Sequence, residues 1–162
     1  MADGLWASFF KLSLSWHAIC LIEMATEATV GNQNQVLLVE DDASLRRSLE
    51  KFLYTAGYPF QSCSTAAQAL ALAHQAAPRV VILEYHLPDA NGCSLLKQLN
   101  LVSPATTAIV LSEFDFHAVA CDLNRVKIQT FLQKPFDLVD FESALCSACF
   151  KSGKIYRRLG SG

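Results

Sequence analysis

Polar side chains stand at the ends of four apolar, strand-like runs of this 162-residue chain. Glu40 and Asp41 follow the first of these runs, and the later runs end at Glu84, Ser112 and Lys134. The carboxyl ends of parallel strands meet at one edge of a sheet, so we expect these groups to converge in one crevice. Carboxylates placed so close together repel one another unless a cation lies between them. Such an oxygen-rich cluster suits Mg²⁺, while the lysine and the serine can bind a carboxylate or a phosphoryl oxygen.

An α/β architecture is predicted for the segment that carries these groups. From residue 35 onward, apolar runs of strand length alternate with helical periodicity, which indicates a parallel sheet covered by helices. Asp42 can cap the first helix and Gly57 can end it, because glycine tolerates the left-handed conformation there. The predicted strands are 36–39, 58–62, 79–84, 108–111 and 128–133, and the predicted helices begin near residues 43, 65, 92, 115 and 136.

Composition favours one globular domain. Hydrophobic residues make up 52% of the chain and charged residues 17%, which argues against disorder. The net charge of −2 gives no electrostatic case for nucleic-acid binding. We expect a folded domain at residues 35–150 and a short basic tail at 151–162. Residues 1–34 are predicted to be a disordered arm or an over-extended start. Since 5–22 are mostly apolar, an amphipathic helix or a membrane or export segment stays open as an alternative.

The six cysteines are predicted to be free thiols. Cys146 and Cys149 have the spacing of a metal-binding pair, but no second pair completes a set of four ligands. Both fall in an apolar helical pattern, which favours buried thiols. Because no credible export signal is present, we predict a cytoplasmic protein without a membrane partner.

The segment from residue 35 to about 150 resembles the receiver domain of two-component response regulators. The resemblance implies a flavodoxin-like, doubly wound sheet of five parallel strands in the order 2-1-3-4-5. One motif alone is weak, whereas four in the family's order and at its spacing argue against coincidental strand ends. These motifs are Val36-Leu37-Leu38-Val39-Glu40-Asp41-Asp42, Glu84-Tyr85-His86-Leu87-Pro88 with Asn91-Gly92, Ser112, and Phe131-Leu132-Gln133-Lys134-Pro135-Phe136.

The resemblance also implies roles for single residues. Glu40 and Asp41 match the metal-binding pair of the family, with Asp41 as the direct ligand. Glu84 stands where the family has its phosphoacceptor aspartate, which also belongs to the metal site. The positions implied to contact phosphate or to switch are Ser112, Phe131 and Lys134. Taken singly, all of these residues have simpler explanations as strand ends, helix caps or core aromatics.

Three departures from the family pattern indicate that the site is not phosphorylated. Glutamate at position 84 places its carboxylate about one C–C bond further into the pocket, and a displacement near 1 Å can slow a reaction about 100-fold. Glu113 and Phe114 add bulk and charge beside the serine, and residues 126–129 differ from the small stretch usual in the family. We predict that Glu84 instead imitates a phosphorylated aspartate, reaching Lys134 and the serine. His86 is predicted to be a surface histidine, although the family tunes access to its phosphoryl group at that position.

The sequence therefore predicts a stand-alone, atypical receiver in phosphorelay signal transduction, a binding module rather than an enzyme. The tail is too short for a DNA-binding module, so output is expected through protein contact over roughly residues 115–150. The resemblance implies a histidine kinase or a histidine phosphotransfer protein upstream, and it is compatible with a homodimer. Mg²⁺ is expected to bind weakly or not at all. The alternatives are a Mg²⁺-dependent receiver phosphorylated by a histidine kinase at Glu84 and a decayed domain kept for assembly.

Overall fold

A five-stranded parallel sheet organises the part of the chain that the computed structural model describes, residues 36–117, 119 and 128–149. The strand order is β2-β1-β3-β4-β5, and it confirms the predicted fold. Of the helix predicted at 115–124, three residues are described as helical, and the remainder lies outside the described residues with the N-terminal arm and the tail. The elements are β1 Val36–Val39, α1 Ala43–Thr55, β2 Phe60–Cys63, α2 Ala66–Gln75, β3 Val80–Glu84, α3 Gly92–Val102, β4 Thr107–Ser112, β5 Thr130–Gln133 and α4 Leu138–Cys149.

The central strands are apolar throughout because both faces of the sheet are covered. Val36 and Leu38 pack with apolar side chains of α1 and α4, whereas Leu37 and Val39 pack with those of α2 and α3. Phe141 of α4 is fully buried in the first of these cores, and burial of one such side chain stabilises a fold by about 1.5–3 kcal/mol. Packing on both faces fixes the ends of the strands, where the polar residues lie.

The end of α1 explains why the second strand starts later than predicted. The N–H groups of Gly57 and Tyr58 donate to the carbonyls of Tyr54 and Leu53, which is the Schellman arrangement. Gly57 has a φ of 78°, as a residue in the left-handed conformation requires. Tyr58 is therefore used to close the helix, and pairing with β1 begins at Phe60.

Asp42 caps α1 as predicted. Its carboxylate accepts hydrogen bonds from the N–H groups of Ser44 and Leu45, at 2.8 and 2.7 Å. These bonds, first that of Leu45, hold the pKa of Asp42 below its usual value of 3.8. Thr65 and Asn91 cap α2 and α3 through their side-chain oxygens in the same way.

The cysteines within the described ranges are free thiols, as predicted. Burial raises the pKa of Cys63 to about 11 and that of Cys149 to about 12, so neither thiol is activated as a nucleophile. The remaining two cysteines, Cys20 and Cys121, lie outside the described residues. In the part of the chain that the structure describes, no helix has the length and apolar character needed to cross a membrane.

Candidate functional site

The carboxyl edge of the sheet brings two buried glutamates onto one lysine. The Nζ atom of Lys134 lies 2.5 Å from Oε2 of Glu84 and 2.9 Å from Oε2 of Glu40. Glu40 is fully buried, and Glu84 is 4% exposed. The backbone N–H of Lys134 donates to the carbonyl of Ser112 at 2.7 Å, which anchors the segment after β5 against β4. The sheet therefore assembles a pair of carboxylates bridged by one ammonium group.

Backbone N–H groups bind the other oxygen of each glutamate. His86 donates to Oε1 of Glu84 at 2.9 Å, and Asp42 donates to Oε1 of Glu40 at 3.2 Å. Oε2 of Glu84 makes no well-aligned hydrogen bond within the described residues, so its contact with the ammonium group of Lys134 is an ion pair. Both carboxylates are thus held from two sides.

Burial and the contacts between Lys134 and the carboxylates shift the pKa values of Glu40 and Lys134 in opposite directions. Burial raises the pKa of Glu40 above 4.5, and its contacts with Lys134 and the N–H of Asp42 offset this only in part. Burial alone lowers the pKa of Lys134, but its close contacts with the carboxylates of Glu84 and Glu40 outweigh burial and raise the pKa above 10.5. Lys134 is therefore charged at neutral pH.

Ser112 and Phe131, the predicted phosphate-contact and switch positions, lie on the neighbouring strands β4 and β5. Ser112 is fully buried, and its Oγ accepts a hydrogen bond from the N–H of Phe114 at 3.0 Å. No hydrogen bond between Ser112 and Glu84 is present among the described residues. Of the two contacts predicted for Glu84, the one with Lys134 is observed and the one with Ser112 is not. Phe131 is partly buried against the core, with its ring 5.6 Å from that of Phe116.

The predicted metal ligands do not form a preformed metal site. Asp41 is exposed, while Glu40 and Glu84 are buried and share the ammonium group of Lys134. Within the described ranges, no group of three or more His, Cys, Asp or Glu side chains is arranged to hold a metal ion. A divalent cation bound to both glutamates would have to displace the lysine. As arranged here, the donor set does not fit Mg²⁺.

Sequence reasoning missed three contacts at the site. The Nη1 atom of Arg46 donates to the carbonyl of Glu40 at 2.7 Å, and the N–H of His86 holds Glu84. The ring of Phe114 lies 5.0 Å from that of His86, whose side chain is exposed as predicted. Arginine one turn after the α1 cap was a usable signal, because that turn faces the end of β1. The backbone donor and the ring contact leave no comparable pattern in a sequence.

Gly92 permits a close approach between α3 and the end of β3. Its N–H donates to the carbonyl of Tyr85 at 2.6 Å. A Cβ atom at this position would lie 3.0 Å from the Cα of Tyr85 and 3.2 Å from the carbonyl oxygen of Glu84. These neighbours are backbone atoms, so an added side chain could be accommodated only by moving the strand end that carries Glu84.

Gly92→Ala is therefore expected to destabilise the protein by about 1–3 kcal/mol, the usual cost of overpacking. The higher helix propensity of alanine acts in the opposite direction but is worth at most about 1 kcal/mol. Urea unfolding checks the result, with Ser94→Ala on the exposed face of α3 as the control. A gain in stability would mean that propensity dominates and that the close approach is not restrictive.

The family is shown by a comparison that covers most of the chain. A family model described as the response regulator receiver domain matches residues 36–145. The chain belongs to this family. Receiver domains take part in two-component signal transduction, and they interact in general with histidine kinases and downstream effectors.

Curated relatives are regulators that are longer than the matching region. The photosynthetic apparatus regulatory protein RegA of Rhodobacter capsulatus is 25% identical over 118 residues, which cover 73% of this chain and 64% of RegA. The alginate biosynthesis transcriptional regulatory protein AlgB of Pseudomonas syringae is 27% identical over 109 residues, or 67% of this chain and 24% of AlgB. The chain thus spans less than two thirds of the length of these relatives.

Solved receiver structures share the fold. The non-phosphorylated HemR receiver domain of Leptospira biflexa is 25% identical, with a TM-score of 0.68 over 76% of this chain and 99% of that one. The chemotaxis response regulator CheY4 of Vibrio cholerae has a TM-score of 0.66 at 24% identity, over 72% of this chain and 99% of CheY4. The second likeness bears on the fold alone.

Proposed function

We propose that this chain is an atypical receiver whose Glu84 replaces the phosphoacceptor aspartate and is not phosphorylated. The contact between Glu84 and Lys134 carries the proposal. With an aspartate at this position, a phosphoryl group on the aspartate would have to make the contact with the lysine. The buried carboxylate of Glu84 makes this contact without modification. A permanent contact between a carboxylate and Lys134 replaces one that would depend on modification. The domain signals by protein contact and does not wait for a phosphoryl group.

An active-like resting arrangement is part of this proposal. Glutamate is longer than aspartate by one methylene, so it reaches the ammonium group of Lys134 without modification. Phe131 is partly buried beside Phe116 and is not turned out to solvent, which agrees with the switch position expected for such a state. A domain that always occupies one state binds the partner of that state at full affinity, without a conformational penalty.

Resistance to phosphorylation has a geometric basis. Oε1 of Glu84 is held by the N–H of His86, and Oε2 is paired with Lys134. In-line attack on a phosphodonor would require the carboxylate to leave one of these partners. The contact between the rings of His86 and Phe114 further narrows the path by which a phosphodonor would approach Glu84.

The proposed partners are a histidine kinase or histidine phosphotransfer protein, bound without turnover, and a downstream protein. Of the predicted contact region at 115–150, the described part includes Leu138 and Val139 at the start of α4, which are 57% and 72% exposed. Exposed aliphatic side chains at the start of this helix suit a protein partner. A homodimer through the same region is the alternative use of this surface.

Magnesium is proposed to bind weakly or not at all. Lys134 already supplies a positive charge between Glu40 and Glu84, so Mg²⁺ would have to displace an ammonium group as well as shed water. If the ion does bind, Asp41 with water ligands is its proposed site, as the exposed member of the acidic pair.

Intact-mass spectrometry after incubation with acetyl phosphate tests the proposal, with and without Mg²⁺. The wild-type chain is expected to gain no phosphoryl mass under either condition, because Glu84 stays paired. The alternative function, a Mg²⁺-dependent phosphoacceptor, is supported by the retained acidic pair, serine and lysine. A phosphoryl group that appears on Glu84 only when Mg²⁺ is present would establish that alternative and overturn both the main proposal and the weak binding of Mg²⁺.

A further inference from the structure

Asp89, in the loop between β3 and α3 (residues 85–91), is hydrogen-bonded to the first turn of α2, more than twenty residues earlier in the chain. Asp89 accepts hydrogen bonds from the N–H of Ala66 through Oδ1 at 2.8 Å and from the N–H of Ala67 through Oδ2 at 3.0 Å. These two donors belong to the first turn of α2, where the helix itself offers no acceptor. One carboxylate thus anchors the tip of the loop with both of its oxygens.

The same loop holds the carboxylate of Glu84. The N–H of His86 donates to Oε1 of Glu84 at 2.9 Å. The loop is closed on itself, since the N–H of Leu87 donates to the carbonyl of Ala90 and His86 forms an isolated bridge with Asn91. A displacement at the tip of so short a closed loop is therefore transmitted to His86.

We propose that Asp89 is a positioning residue, which fixes the loop on α2 and thereby holds the N–H of His86 against Glu84. This inference rests on the proposed function, because it matters for signalling only if the Glu84 carboxylate sets the state of the domain. The two N–H groups also lower the pKa of Asp89, so the anchor is ionised at neutral pH. Asp89 touches neither Glu84 nor Lys134 in the described contacts, and it acts through the loop backbone.

Amide hydrogen exchange of the full chain tests the inference, with Asp89→Asn as the decisive variant. Asparagine keeps one acceptor oxygen but turns an NH₂ group toward the second N–H, so one of the two bonds is lost. The amides of Ala66, Ala67 and His86 are all expected to exchange about tenfold faster or more, because the loop opens locally more often. Amides of the sheet, such as that of Val81, are expected to stay unchanged.

Thr65→Ala is the matched control, because Thr65 caps the same helix by accepting from the N–H of Gln68 at 3.2 Å. This variant should loosen the start of α2 and leave His86 protected. If His86 keeps its protection in Asp89→Asn while Ala66 and Ala67 lose theirs, Asp89 is only a helix cap and the inference is wrong. That outcome leaves the proposed function untouched, since phosphorylation of the wild-type chain would be needed to overturn it.

Asp89→Glu adds a second, conservative variant at the same position. A carboxylate is retained on a longer side chain, so about half or more of the lost protection at His86 is expected to return. Thermal unfolding of both variants verifies that they fold. Should Asp89→Asn fail to fold, Asp89→Glu decides alone. Amide exchange that becomes faster than in the wild-type chain at Ala66, Ala67 and His86 alike supports the inference. Amide exchange that becomes faster at Ala66 and Ala67 but not at His86 overturns it.

Discussion

Lys134→Met is expected to lose about 3–5 kcal/mol of folding free energy at neutral pH, because breaking a buried ion pair leaves charge without a partner. Glu40 and Glu84 would then face each other in the pocket without the ammonium group that now contacts both. The side chain of Lys134 is only 17% exposed, so water cannot replace most of its interaction. Urea unfolding of the variant beside the wild-type chain measures the loss.

Two further variants separate the effect of the missing buried charge from the effect of replacing a lysine by a methionine. Lys97→Met makes the same chemical change at an exposed position of α3 and should alter stability by no more than about 0.5 kcal/mol. Glu84→Gln combined with Lys134→Met removes one carboxylate and should recover part of the loss. A loss below about 1 kcal/mol in Lys134→Met would contradict a buried, lysine-bridged pair.

The wild-type chain should show a related loss at alkaline pH. The pKa of Lys134 is raised in the folded state above the 10.5 of the free side chain. Its contribution to stability is therefore fully present below the pKa of the unfolded chain and is lost as pH rises through the higher folded pKa. Stability measured from pH 9 upward should fall more steeply for the wild-type chain than for Lys134→Met.

Glu84→Asp is expected to convert the domain into a phosphoacceptor. Aspartate withdraws the carboxylate by about one C–C bond from Lys134 and, under the proposed function, places it where the resemblance implies a phosphoacceptor. Since misplacement by about 1 Å can cost on the order of 100-fold in rate, the gain should be at least that large over the wild-type chain. The rate of phosphoryl gain with acetyl phosphate and Mg²⁺, followed by intact mass, measures it.

Glu84→Gln is the matched control, since it keeps the length of glutamate and removes the nucleophilic carboxylate. No phosphoryl gain is expected for this variant. Gain in Glu84→Asp alone would show that the pocket is otherwise competent and that one methylene keeps it inactive. Absence of gain in both would mean that other departures block the reaction, with Glu113 and Phe114 beside Ser112 as the first to exchange. That result would contradict the assignment of the block to Glu84.

The amino-acid sequence by itself determined the strands and the polar residues at their ends, whereas the order of the strands was implied by the resemblance to receiver domains. Continuous apolar runs such as Val36–Val39 are typical of strands buried on both faces. Short-range signals such as Asp42 and Gly57 act within one turn of chain. Because parallel strands share one edge for their carboxyl ends, Glu40, Glu84 and Lys134 were placed together before any distance was known. Such inferences succeed because they rest on periodicity and local backbone preference.

Tertiary structure alone decided which atoms of these residues meet. The distances among Lys134, Glu40 and Glu84 depend on the relative positions of three strands, and the hydroxyl of Ser112 is occupied by the N–H of Phe114 rather than by the glutamate. The anchoring of Asp89 on α2 joins groups that are far apart in the chain. Residue identity limits what each group can bind, but the choice among partners depends on distances that exist only after the helices and strands have packed.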